Sequence, residues 1–549
     1  MCLLRRTLVE VQMGEIKCRP LILIRGFGGV DVADDQRSAY QGYNDGTVYP
    51  TKRGDNYIYE GFLLRALKAK RYRYTDATNV VGYYAQNVEG PADTGEYDPS
   101  DVGGSVVIDP RTAARVLNEA TSGTIWVYRF YDLSPRTLAR YAEGLVRLIS
   151  LIERSSEQHN QTFDGVDVIA HSMGGLVMRE ALLAMEENAH HSAQRLVHRV
   201  VTLGTPHRGI AFQRVPRWLL DLLPGARDAS DELASFSPSS TRFLKVLDAF
   251  PIQRILTVVG TNYRTYGASG ASLANRLSTL FDGGSLSTNR SDGLVKQSAA
   301  QLPGAPRTFV HKCHGGVDSL VTCRESYEIA MRFLHGSHRI QLWLDEAKVE
   351  RGQDCFGKSE FYFGVTIKPR YVDFELFHQS PEAENCYGPF DRPDLLGGPP
   401  DLEGELRNPL DDAGDRTTGW AGPDRLVWEG WVDQDDKPDT DVPGLVFRLD
   451  VYVGERDSYG VGFSDNVIFR KQYYVQVFPR AGGPAVFVHT GERFLGSNDP
   501  QYEAELGLLA DNTANGVQQL ARNDAGDWTF AVDGTGFAGE FRIAINAEQ

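Results

Sequence analysis

The run Val166-Asp167-Val168-Ile169-Ala170-His171-Ser172-Met173-Gly174-Gly175-Leu176-Val177 constrains this chain more than any other segment. It reads as an apolar strand, a sharp turn of small residues around a serine, and the start of a helix. A serine held in so tight a turn projects its Oγ outward, and the residues two before and two after it cannot carry bulk. Ala170 and Gly174 meet that demand.

Similar strand and helix signals recur on both sides of this run. Short β-branched runs at residues 21–24, 125–130, 166–170, 199–203, 255–259 and 308–310 alternate with segments of helical period, the pattern of a largely parallel sheet covered by helices. Between the second and third, Leu138, Tyr141, Ala142, Leu145, Ile149 and Ile152 recur at three- and four-residue steps, which predicts a helix lying on the sheet.

With 549 residues the chain exceeds what one core supports, so at least two domains are expected. The texture changes after about His335: helical periodicity fades, and runs at 361–367, 446–453, 473–478, 485–489 and 541–545 are alternating or aromatic-rich. Separated by turn clusters, they predict an antiparallel β-sandwich of jelly-roll or C2-like type. The expected division is an α/β domain over 1–336, with an insertion at about 30–123 and a cap at about 212–250, followed by a β-sandwich over 337–549. The Pro-, Gly- and Asp-rich tract 389–422 is expected to be a loop interrupting the sandwich.

A serine hydroxyl attacks an ester only with a base in hydrogen-bond reach and a carboxylate to orient that base. In folds built around a strand–serine–helix elbow, the acid and then the histidine follow the nucleophile on loops after later strands. Asp292, in Ser291-Asp292-Gly293-Leu294-Val295, and His314, in His311-Lys312-Cys313-His314-Gly315-Gly316, occupy those places. His311 is the rival base, closer to its strand; Asp282 and Asp318 are rival acids. An oxyanion needs backbone donors, expected from Met173 N–H and from Phe27 N–H in the loop Arg25-Gly26-Phe27-Gly28-Gly29. Gly26 and Gly28 let that loop approach a substrate, and His171 and His207 are further candidates for substrate contact. For His207 the competing expectation is a structural hydrogen bond to a loop.

Taken together, the Arg25–Gly29 loop, the elbow, Val201-Thr202-Leu203-Gly204-Thr205-Pro206-His207-Arg208-Gly209 and Ser291–Val295 resemble the lipase and esterase branch of the α/β-hydrolases. That branch includes GPI inositol-deacylase-like proteins and bacterial triacylglycerol lipases. The stretch from Glu232 to Leu244 resembles the part in which such enzymes carry a cap helix, and Arg25 stands where relatives usually have histidine. The resemblance covers about 300 residues. It implies an α/β-hydrolase fold and ester hydrolysis through an acyl-enzyme, with Ser172, Asp292 and His314 as nucleophile, acid and base and an acyl-ester or lipid as substrate. The apolar stripe of residues 212–223, with Trp218, Leu219, Leu220, Leu222 and Leu223, suits a lid touching a lipid surface or a helix packed on the core.

The remaining features are bounded by charge and composition. A formal net charge of -16 opposes binding to nucleic acid or to anionic bilayers. No run reaches the roughly 18 apolar residues of a membrane span, and the N-terminus lacks the apolar core of a signal peptide, so cytoplasm is the default location and export needs a removed leader or another route. The six cysteines lack metal-ligand spacing; Cys313 and Cys323 are placed to close a short loop if their geometry allows. Acidic loops with Asp433, Asp435, Asp436, Asp439 and Asp441, or Glu455, Asp457 and Asp465, have no regular Ca²⁺-ligand spacing and read as solvated charge. No cofactor or metal is expected. Two other readings stay open: a binding module whose sandwich recognises lipid, glycan or protein, and a thioesterase or amidase using the same triad.

Overall fold

Six short strands, buried along nearly their whole length, form the first sheet of the computed structural model. The structure describes residues 18–26, 61–69, 121–128, 137–187, 192–207, 251–262, 291–349, 359–378, 387–390, 426–433, 445–457, 466–491 and 500–548, apart from short gaps within these spans, plus a few isolated positions. The strands are β1 (Leu21–Ile24), β2 (Ile125–Tyr128), β3 (Val166–His171), β4 (Val197–Leu203), β5 (Ile255–Gly260) and β6 (Arg307–Val310). They run parallel in the order β2-β1-β3-β4-β5-β6, so the chain steps outward to β2, returns beside β1 and then proceeds to β6.

Parallel strands need crossovers, and the crossovers cover both sheet faces, so alternate residues are apolar on each side. Ile22, Ile24, Trp126, Tyr128, Val166, Val168 and Ala170 join one core cluster. Leu21, Leu23, Ile125, Val127, Ile169, Val201 and Leu203 join another on the opposite side. The first face is covered by the helices Leu138–Gln158 and Met173–Glu187, and the second by Phe62–Lys68 and Arg324–His335. Among the described residues the helices in chain order are α1 (Phe62–Lys68), α2 (Leu138–Gln158), α3 (Met173–Glu187), α4 (Ala193–Leu196), α5 (Arg324–His335) and α6 (Pro500–Ala510). The predicted stripe of α2 is its buried face, and its start is capped by the Thr137 side chain accepting from Arg140 N–H. Helix α1 lies inside the expected insertion, where the sequence signalled no element.

Beyond α5 the structure is antiparallel. The strands are β7 (His338–Val349), β8 (Ser359–Pro369), β9 (Phe377–His378), β10 (Tyr387–Phe390), β11 (Leu426–Val432), β12 (Leu445–Asp457), β13 (Asn466–Phe478), β14 (Ala485–His489), β15 (Val517–Gln519), β16 (Trp528–Gly534) and β17 (Phe537–Ala547). They make a sheet β10-β8-β12-β13-β14-β15, with β9 also on β8, and a second sheet β11-β7-β17-β16. Ile340, Leu342 and Leu344 of one sheet and Val365, Ile367, Phe447, Leu449 and Val451 of the other share one core. The period-2 alternation therefore reads as two inner faces of a β-sandwich. Phe363 of β8 stacks on Phe537 of β17 at 5.7 Å across the gap.

The tract expected to be loop from Pro389 onward begins inside β10, because proline is tolerated on an edge strand where no ladder donor is needed. Residues 391–425 lie outside the described residues. Helix α6, unexpected from sequence, packs Leu506 against Phe478 and Phe487.

The sandwich is joined to the parallel sheet by buried contacts. Trp431 meets Phe333 of α5 edge-on at 4.7 Å, and Glu429 accepts from Arg307 N–H at 3.3 Å. No helix among the described residues is long and apolar enough to cross a membrane.

Candidate active site

All six parallel strands point their C-terminal ends to one edge, where loops collect side chains from distant parts of the chain. At the end of β3, Ser172 has φ 53°, a left-handed conformation that a residue with a side chain adopts only when its surroundings enforce it. Its N–H donates to Leu203 O at 2.9 Å, and its carbonyl accepts from Gly175 N–H at 3.0 Å as α3 begins. The glycines after it are required by packing. A Cβ on Gly174 would meet Ile24 O at 2.6 Å, and one on Gly175 would meet Thr205 Oγ1. Before it, a Cβ on Gly26 would fall 2.4 Å from the Ser172 Cβ, so the loop after β1 lies directly against the serine.

The loop after β5 carries Asp292 and the loop after β6 carries His314, both buried. Asp292 Oδ1 accepts from Leu294 N–H at 3.0 Å and Val295 N–H at 2.7 Å, which leaves Oδ2 aimed outward. His314 Nδ1 donates to that Oδ2 at 2.8 Å, and its Nε2 accepts from Ser172 Oγ at 2.9 Å. The two loops are also tied through the backbone, His314 N–H donating to Asp292 O at 2.9 Å. Gly204, with φ 56°, passes beneath them; a Cβ there would come 2.9 Å from Asp292 Oδ2 and 3.2 Å from His314 Nδ1. A hydroxyl, an imidazole and a carboxylate in this order can move the hydroxyl proton onto the ring as the oxygen attacks.

The other candidate residues fall in different places. His311 is exposed, with Nδ1 3.0 Å from Thr261 Oγ1. Met173 is the first residue of α3, where backbone N–H groups have no acceptor within the helix. Phe27, Gly28, Asp282, Asp318 and the segments 212–223 and 232–244 lie outside the described residues. His207, considered for substrate contact, is fully buried, with Nε2 2.9 Å from Thr202 Oγ1 and its carbonyl accepting from Arg179 Nη1 at 2.6 Å. Its ring is enclosed in protein beside Thr202. His171 is also buried, its Nε2 donating to the His314 carbonyl at 2.8 Å, a contact with no counterpart in local sequence. Cys313 and Cys323 are separate thiols: Cys313 Sγ lies 3.3 Å from Gly315 O, and Cys323 caps α5 through Ser326 N–H. Burial pushes the Cys323 thiol up to about 12. Of the acidic-loop residues, Asp433, Glu455 and Asp457 are described, and no metal-holding group of three or more His, Cys, Asp or Glu occurs among the described residues.

Three buried histidines give the fold a pH dependence. Burial, then the charges of His314 and Arg25, holds His171 well below the ordinary value of 6.5. Burial and then Arg179 do the same to His207, and burial pushes His489 of β14 down to about 4. Each takes up a proton near 6.5 when unfolded but not when folded, so the unfolded chain binds more protons and stability falls as pH drops below that value. For His489 the loss runs from 6.5 to about 4. A lower urea midpoint at pH 5 than at pH 7.5 is expected at fixed ionic strength, with a flatter profile in His489→Gln.

Residues 128–215 match the family described as PGAP1-like alpha/beta domain. The match includes the elbow and Ser172 but neither Asp292 nor His314. No curated protein matches the chain by sequence. Among solved structures, a metagenomic carboxyl esterase is 15% identical with TM-score 0.29, the alignment covering 39% of this chain and 66% of that one. Phospholipase PlaB from Legionella pneumophila is 12% identical with TM-score 0.26, covering 64% and 82%. A gene product from Listeria innocua is 13% identical with TM-score 0.26, covering 58% and 94%. With a six-stranded parallel sheet, a strained serine between β3 and α3 and the family match across that turn, the chain has an α/β-hydrolase fold whose residues 128–215 resemble the PGAP1-like alpha/beta domain.

Proposed function

We propose that this chain is a serine carboxylic-ester hydrolase, a lipase or esterase that cleaves lipid or other acyl esters through an acyl-enzyme. The observation that carries the reading is the hydrogen-bonded series Ser172 Oγ, His314 Nε2, His314 Nδ1, Asp292 Oδ2, with links of 2.9 and 2.8 Å. Ser172 Oγ attacks the ester carbonyl as its proton passes to His314 Nε2, and Asp292 stabilises the resulting imidazolium. The tetrahedral oxyanion receives the Met173 N–H at the positive end of α3, together with the Phe27 N–H from the loop after β1. His314 then protonates the leaving alkoxide. Water, deprotonated by the same nitrogen, releases the acid and restores Ser172.

The test is covalent. A fluorophosphonate probe is expected to form one adduct, mapped by peptide mass spectrometry to Ser172, and p-nitrophenyl esters of increasing acyl length are expected to be hydrolysed. Rates rising with chain length identify a lipase, and rates confined to short chains an esterase. Matched thioester and amide substrates test the other acyl classes. A folded protein without adduct at Ser172 and without ester turnover overturns the proposal.

A further inference from the structure

His171 sits beside the nucleophile and is buried. Alternation along β3 sends Val168 and Ala170 into one core and Ile169 into the other, so His171 shares the Ile169 face. That second core also contains Val310 and Leu320, the apolar residues on either side of the His314 loop. The ring of His171 lies 4.9 Å from that of His314, the two planes tilted by 42°. A carbonyl only accepts, so the 2.8 Å contact with His314 O requires the proton on His171 Nε2. Nδ1 then carries a bare lone pair, buried and without a hydrogen-bond partner.

We propose that His171 is a positioning residue, whose Nε2–H holds the His314 carbonyl and so ties the loop carrying the base to the strand carrying the nucleophile. The inference rests on the serine-hydrolase reading above. Apart from the reacting contact of its Nε2 with Ser172 Oγ, His314 is held at its N–H by Asp292 O, at its Nδ1 by Asp292 Oδ2, and at its carbonyl by His171. The first two contacts set the base relative to the acid. The third ties it to the strand that carries the serine, beside the reacting contact of His314 Nε2 with Ser172 Oγ itself, because His171 and Ser172 are joined by one peptide bond while His171 and His314 are 143 residues apart in sequence. Remaining uncharged suits this role: burial and the adjacent charges of His314 and Arg25 oppose a proton on Nδ1, so His171 does not compete when His314 becomes cationic. A substrate-contacting histidine would need an open ring edge, whereas both nitrogens of His171 are turned into protein.

The experiment compares His171→Met, of suitable length but with no donor, with His171→Gln, whose amide can reach the same carbonyl. Both are made in the full chain and assayed for fluorophosphonate labelling rate, kcat and KM on an ester the wild type hydrolyses. The Met variant is expected to lose about tenfold in kcat and labelling rate, the equivalent of one hydrogen bond, with KM within about twofold. The Gln variant is expected to recover to within about threefold of wild type, since its donor is retained. If the Met variant does not fold, His171→Asn replaces it, polar like Gln but one methylene too short, and is expected to fall below the Gln variant. Equal rates for donor and non-donor variants overturn the role. A raised KM with unchanged kcat also overturns it, in favour of substrate contact. A wild type that neither labels nor turns over ester overturns the hydrolase reading and this role together, whereas a labelled wild type with an undiminished Met variant overturns the role alone.

Discussion

Alanine in place of Ser172 is expected to lower kcat on esters by about 10⁶-fold, and Asp292→Asn by about 10⁴-fold, each with little change in KM. The difference has a structural cause. Without Oγ no acyl-enzyme forms, and only the oxyanion donors and binding remain. In Asp292→Asn the geometry survives but the wrong atom faces the base. Oδ1 of Asp292 is committed to Leu294 and Val295 N–H, so an asparagine that keeps its carbonyl oxygen there turns its NH₂ toward His314 Nδ1. That forces the His314 proton onto Nε2, which can then no longer accept from Ser172. Because the three residues act as a unit, Ser172→Ala combined with His314→Ala is expected to be no slower than Ser172→Ala alone. Steady-state kinetics on one p-nitrophenyl ester checks all three variants; an Asp292→Asn enzyme within tenfold of wild type would remove Asp292 from the mechanism.

The second large effect is expected from a single methyl group. Gly26→Ala places a Cβ 2.4 Å from the Ser172 Cβ, closer than real atoms approach, and 3.1 Å from His171 O, a tight contact. Ser172 cannot easily yield, since its left-handed φ and its N–H bond to Leu203 O fix it in the turn. The loop after β1 must therefore move, carrying with it the backbone expected to complete the oxyanion hole. A loss of about 10² to 10³ in kcat is expected, the effect of displacing one oxyanion donor. Overpacking adds a stability cost of about 1–3 kcal/mol. Gly507→Ala in α6, where a Cβ meets nothing within 4 Å, is the control and is expected to be neutral or slightly stabilising. Rates and urea midpoints measured side by side distinguish the two sites. A Gly26→Ala enzyme as active as wild type would mean that the loop does not lie against the nucleophile.

The elements of this chain were legible because their signals are local. Six buried β-branched runs, the α2 stripe, the small residues around Ser172 and the alternation after His335 each report the environment of a segment from within that segment. Chain order narrowed the partners of Ser172 to a few residues, and two strand-end loops drew attention to Asp292 and His314. Other features were silent: α1 and α6 are short and were masked by mixed or polar surroundings, and the edge strand β10 contains a proline that reads as a loop signal.

Tertiary structure decided what depends on distance between remote segments. His311 and His314 differ by three positions, yet one lies near Thr261 and the other near Ser172, because the turn after β6 directs their side chains differently. His207 and His171 look equally available in sequence, but sheet packing closes one into a niche with Thr202 and turns the other onto the His314 backbone. The pairing of β7 with both β11 and β17 joins strands about 90 to 200 residues apart, and no local period encodes which alternating strand finds which neighbour. Sequence alone determined the kinds of elements and the residue types available for chemistry, since propensity and periodicity are properties of neighbouring residues. The fold alone decided which of those residues meet, since hydrogen bonds of 2.8 and 2.9 Å between side chains up to 142 positions apart exist only once the sheet has brought its strand ends to one edge.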